Sequence, residues 1–154
     1  MRTYDALYIA KKVVNSTNAE QGDSITNLKL QKLLYYLQGF WLAVFDAPLF
    51  TEEIEAWMYG PVVPKVYDAY KEYGKNGIPV DHLSNEQFPL DTDKEESLFY
   101  DVYTQYSQYS AVALMNMTHK EMPWASTDVG RGSVIPHKRM KRFFDTLVED
   151  YEVE

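Results

Sequence analysis

The chain contains no cysteine. That single absence removes disulfides, thiol catalysis and thiolate-held zinc. No apolar run approaches the roughly 20 residues needed to span a bilayer, and there are no internal repeats or low-complexity stretches. The opening residues, Met1-Arg2-Thr3-Tyr4-Asp5, lead into a charged amphipathic segment rather than the unbroken apolar centre of a signal peptide. A cytoplasmic protein without a membrane partner is the expectation. Positive charge is scarce as well: 15 Lys and Arg stand against 23 Asp and Glu, a formal charge of −8. Such a chain repels phosphate backbones overall, so nucleic acid is disfavoured as a partner unless a local basic patch receives it. His137-Lys138-Arg139-Met140-Lys141-Arg142 is the one candidate, and a solvated helix face is its simpler reading.

What is present is ordinary in amount and unusual in kind. At 154 residues the chain is sized for one domain, expected over 1–154, with enough length for a core that needs no staples. Aromatic residues make up 15%, thirteen of them Tyr. Tyr pairs a large apolar body with a polar tip, so it suits core edges and partner surfaces alike.

Apolar spacing predicts a first helix over 4–15, with Leu7, Ala10 and Val14 in line, followed by a polar loop running to Gly22-Asp23. The strongest pattern follows: Thr26 or Asn27 as cap, then Leu30, Leu33, Leu34, Leu37, Trp41 and Val44 as one apolar stripe. Lys29, Lys32 and Tyr36 stack on the other side. Cations this early in a helix oppose its dipole at about 0.3–1 kcal/mol each. They call for a carboxylate elsewhere, or else form a ridge shown to a partner. Residues 54–59 alternate with period two and read as a short strand ended by Gly60-Pro61, with a pairing strand expected near Val134. Pro64 opens a third helix to 73, and 75–90 reads as irregular. Thr92 and Glu95 have capping-box spacing before a fourth helix, and Ser107 or Ser110 caps a short fifth. Residues 124–133 read as a loop. Pro136 opens a last helix burying Met140, Phe143, Phe144 and Leu147 ahead of an acidic tail expected to fray. The architecture expected is mainly α, a compact bundle of five or six helices with a small two- or three-stranded β element.

Chemistry is hard to find. His82, His119 and His137 sit in different elements without metal-ligand spacing, so no metal and no cofactor are expected. His119-Lys120-Glu121-Met122-Pro123-Trp124 has the outline of a zinc-deaminase signature but lacks the cysteines that would hold the metal. Gly130-Arg131-Gly132-Ser133 lacks the Lys-Ser/Thr of a phosphate-binding loop. No catalytic residues are assigned.

Four stretches taken together resemble a known family. They are the run from Ile25 to Tyr36 containing Lys29-Leu30-Gln31-Lys32-Leu33, the Phe50-x-x-x-Ile54-x-Ala56-Trp57-x-x-Gly60-Pro61-Val62-Val63 segment, Thr118-His119-x-Glu121-x-Pro123-Trp124, and Ile135-Pro136 with its helix. In order and separation they resemble the Panacea domain, also called the SocA-type antitoxin domain. The resemblance implies a phage- or prophage-associated bacterial antitoxin that neutralises a cognate toxin protein by binding it, without being an enzyme. It marks Lys29, Gln31, Lys32, Tyr36, His119 and Glu121 as candidates for partner contact or for a buried polar network. Leu30, Trp57, Gly60, Pro61, Pro123 and Trp124 are the signature positions expected to be structural. Delivery of the toxin to a protease is a variant within this class, and a homodimer through the Tyr-rich third and fourth helices stays open. The alternatives are a small hydrolase or transferase using a pocket of Lys29, His119 and Glu121, and a DNA-binding autoregulator.

Overall fold

The computed structural model describes residues 1–17, 24–80 and 87–153. The parts of the expected loops at 18–23 and 81–86, with His82, lie outside the described residues. The first helix, α1 (Ala6–Asn15), starts where the Asp5 carboxylate accepts from Leu7 N at 2.8 Å. It buries Ala6, Ile9, Ala10, Val13 and Val14, a stripe rotated slightly from the predicted one: Ala10 and Val14 lie inside, and Leu7 is only half-buried. Its packing against two elements, α2 (Asn27–Phe45) and α3 (Pro64–Tyr70), sets that rotation.

Helix α2 is the axle. Thr26 caps it by accepting from Lys29 N at 3.2 Å, and Asp46 ends it in the left-handed region at φ 53°. The predicted stripe Leu30, Leu33, Leu34, Leu37 and Trp41 is buried, each of these large side chains contributing about 1.5–3 kcal/mol. Val44, assigned to the same stripe, is 46% exposed near the end of the helix. The larger correction concerns the other side: α2 is surrounded, so Lys32 and Tyr36 are fully buried and no exposed ridge of Lys29, Lys32 and Tyr36 exists.

A hairpin follows, strands β1 (Glu55–Trp57) and β2 (Gly60–Val62) pairing antiparallel with Trp57 opposite Gly60. The pairing strand is therefore the adjacent segment across Met58-Tyr59. The segment near Val134 adds a single bridge to Glu55, reinforced by Ala56 N to Ser133 O and Ile135 N to Ile54 O, both 2.8 Å. Helix α3 continues as a 3₁₀ turn over Lys71–Tyr73.

Helix α4 (Asp93–Ser107) is capped by Thr92, but Glu95 does not complete the reciprocal box. Its carboxylate accepts instead from the Thr92 hydroxyl at 2.9 Å and from Tyr4 at 3.2 Å, because it is buried beneath α1's lead-in. Helix α5 (Ala111–Lys120) is capped by Ser110, and the residues after it form a further short helix, α6 (Met122–Ala125), where the sequence predicts a loop from 124. Helix α7 (His137–Val153) stays helical through the acidic end and lies along α2. Gly39 of α2 makes room for Phe144 of α7, since a Cβ there would collide with the ring.

Two buried polar side chains unremarked in the sequence complete the frame. Gln38 accepts from Leu49 N at 2.8 Å and Phe50 N at 3.3 Å, and donates to Phe50 O at 2.8 Å, standing in for a strand. Lys12, also buried, pairs with Glu96 at 3.0 Å.

Candidate functional site

The signature residues converge on one seam between α2, the hairpin and the α5–α6 junction. Helical spacing puts Gln31, Lys32, Tyr35 and Tyr36 along one region of α2. Gln31 is buried, donating to Asn27 Oδ1 at 2.8 Å and accepting from Val63 N at 2.9 Å. It thereby satisfies the first free donor before α3 and ties α2 to the exit of the hairpin.

Lys32 points into the hairpin itself. Its Nζ donates to the Pro61 carbonyl at 3.2 Å, and burial lowers its pKa to about 7 from an ordinary 10.5. Gly60 makes room for it. That residue has φ +114°, and a Cβ there would lie 2.5 Å from Lys32 Cε and 3.0 Å from Thr118 Oγ1. Glycine is thus required twice over, by backbone conformation and by the lysine stem.

Glu121 sits in the bend between α5 and α6. Tyr35 donates to its Oε1 at 3.0 Å and Tyr36 to its Oε2 at 2.9 Å. Burial raises the carboxyl pKa to about 7, an effect the two tyrosine hydroxyls partly oppose. Burial, with Glu121 close by, also drives both phenols well above their ordinary value. Tyr106 stacks on Tyr36 with centroids 4.0 Å apart, roofing the pair with an α4 side chain. Tyr35 and Tyr106 were not singled out in the sequence. Their only signal was spacing, Tyr35 beside Tyr36 and Tyr106 within a Tyr-rich helix.

The remaining candidates close the seam. His119, on the last turn of α5, stacks on Trp124 with centroids 4.0 Å apart, and its buried Nε2 has no hydrogen-bond partner among the described residues. Trp124 donates to Trp57 O at 2.8 Å, fastening α6 to the hairpin, and Pro123 is buried in the first turn of α6. Trp57 packs edge-on against Tyr67 and carries the Arg131 guanidinium 4.4 Å above its ring. Leu30 is fully buried in the core.

Lys29 stands apart from this seam. Its Nζ donates to Ser107 O at 2.5 Å, the carbonyl end of α4. That carbonyl belongs to a helix C-terminus, whose partial negative charge helps to offset the early-helix position of Lys29. Lys29, His119 and Glu121 have different partners: Ser107, Trp124 and the tyrosine pair. Among the described residues no group of three His, Asp or Glu is placed to hold a metal, and no helix is long and apolar enough to cross a membrane.

These elements define a helical domain whose polar signature is turned inward. A family model described as antitoxin SocA-like, Panacea domain, matches residues 30–125, the span from the α2 stripe to the end of α6. The Antitoxin SocA of Caulobacter vibrioides (strain NA1000 / CB15N) is 33% identical over 136 residues, covering 78% of this chain and 72% of that protein. The chain belongs to the SocA-like Panacea antitoxin family. No solved structure matches it.

Proposed function

We propose that this chain, acting over 1–154 as one domain, neutralises a cognate bacterial toxin by direct protein–protein contact and catalyses no reaction. The observation that carries the reading is family membership together with the fate of the signature polar groups. Gln31, Lys32, Tyr36 and Glu121 are consumed in internal hydrogen bonds, which suits a scaffold whose output is a surface. On this reading Gln31, Lys32, Tyr36, His119 and Glu121 serve the partner by shaping the domain, and Lys29 by fastening α2 to α4. A cytoplasmic site of action and a phage or prophage origin belong to the same proposal. The test is growth rescue. The neighbouring gene product is expressed with and without this chain, and the two proteins are then co-purified. Rescue with a stable complex is expected. Toxicity that this chain leaves untouched, with no complex formed, overturns the reading.

A further inference from the structure

The −8 chain gathers positive charge in one place. Lys138, Arg139, Lys141 and Arg142, four of its 15 Lys and Arg, lie within the first two turns of α7. The first turn holds no acidic residue, so these cations add to the positive end of the helix dipole instead of being balanced against it. All four line a groove of about 840 Å³ between α6 and α7, whose walls include Met122 and Pro136.

The four are not equally engaged. Arg139 donates to Thr127 Oγ1 at 2.7 Å, and Lys141 pairs with Asp145 at 3.1 Å. Lys138 and Arg142 are exposed and, among the described residues, have no ion-pair partner. One helical turn apart, they stand on the same side of α7. Like charges at that spacing repel by about 0.2–0.5 kcal/mol. An arrangement disfavoured by both the dipole and the neighbouring charge is relieved by an anion from outside.

We propose that the groove between α6 and α7 receives an acidic, amphipathic segment of a partner protein, gripped by Lys138 and Arg142. The proposal rests on the antitoxin reading for the class of partner and supplies that reading with a surface. A protein segment fits better than nucleic acid because the groove also carries Asp145, Glu149 and apolar Met122. The two carboxylates accept from a peptide's backbone N–H groups and the apolar wall of Met122 and Pro136 takes its apolar side chains, contacts that a phosphate backbone does not offer. Lys138 and Arg142 lie outside residues 30–125, the span of the family model.

The probe is a fluorescent peptide with Glu and Asp on one helical face and Leu on the other, titrated with the full chain and followed by anisotropy. Binding should weaken with salt and fall at least about tenfold in Lys138→Glu/Arg142→Glu, with the melting curve unchanged. The control pair Lys75→Glu/Lys94→Glu changes net charge equally at exposed positions elsewhere and should retain binding. An equal loss in both pairs, or no measurable binding by wild type, overturns the groove. Tighter binding of duplex DNA through the same two residues overturns it in favour of nucleic acid. A dimer that separates in the Lys138/Arg142 variant overturns it in favour of a second copy. The peptide decides the groove independently of growth rescue: rescue without peptide binding removes this proposal alone, whereas peptide binding without rescue removes the antitoxin reading alone.

Discussion

Lys32 and Lys138 carry the same side chain into opposite circumstances. Lys32 is sealed inside the hairpin, with a carbonyl for company and a pKa drawn down to about 7. Lys138 stands in water at the head of α7, above a groove, without a counter-ion among the described residues. Lys32 lies within the span of the family model, and Lys138 lies beyond it. The contrast teaches a division of labour. On the proposed function, residues that identify the family hold its shape, and the surface offered to a partner consists of ordinary solvent-facing side chains. A domain built this way can keep its frame while its contact surface changes.

The strongest way to break the interior half of that contrast is Gly60→Val. Left-handed strain and collision with the lysine stem should together destabilise by about 3 kcal/mol or more, read as a lower denaturant midpoint. Gln38→Leu comes next. Buried donors of Leu49 and Phe50 lose their acceptor, for an expected loss of about 2–4 kcal/mol. A stable Gln38→Leu variant would show that these donors find water and that the frame is looser than described.

The pH profile sharpens the comparison. Lys32 has a folded pKa below its unfolded value, so its contribution is complete above 10.5 and is lost as pH falls through about 7. Glu121 has a folded pKa above its unfolded value, so its contribution is complete below 4.5 and is lost as pH rises through about 7. The two together produce a minimum near neutrality, with slopes of at most about 1.4 kcal/mol per pH unit on either side. Unfolding measured across this range should lose its alkaline slope in Lys32→Met and its acid slope in Glu121→Gln. A profile unaltered by Lys32→Met would mean that the ammonium is solvated.

Smaller again is Tyr36→Phe, which removes one hydroxyl from Glu121. We expect a loss of about 1 kcal/mol and a further rise in the carboxyl pKa, followed by carbon NMR of that side chain. The smallest effect on stability belongs to Lys138→Glu/Arg142→Glu, within about 0.5 kcal/mol of wild type, as expected of exposed side chains. Its consequence is confined to binding.

Much of the frame was legible because its signals are local. The α2 stripe, the Thr26 cap, Pro64 at the start of α3, and Ser110 before α5 each depend on residues within a turn or two. The same locality explains the misses. Val44 fits the stripe by spacing but is exposed near the end of α2, and Glu95 has box spacing but turns to Tyr4. Gly60-Pro61 reads as a stop in the sequence, which directs the pairing strand to Val134. The Gly60 φ of +114° instead lets the chain reverse and pair at once.

The sequence by itself determined the helical character, the central apolar helix and the family, through periodicity and a set of ordered motifs. Only tertiary structure decided what the motif residues do. A helical wheel assigns Lys32 and Tyr36 to a polar side, and a polar side faces water unless other elements cover it. Here the hairpin, α4 and the α5–α6 bend cover it, bringing Pro61, Tyr106 and Glu121 to meet those two side chains. Which face of a helix is inside depends on contacts tens of residues away, and those exist only once the chain has closed on itself.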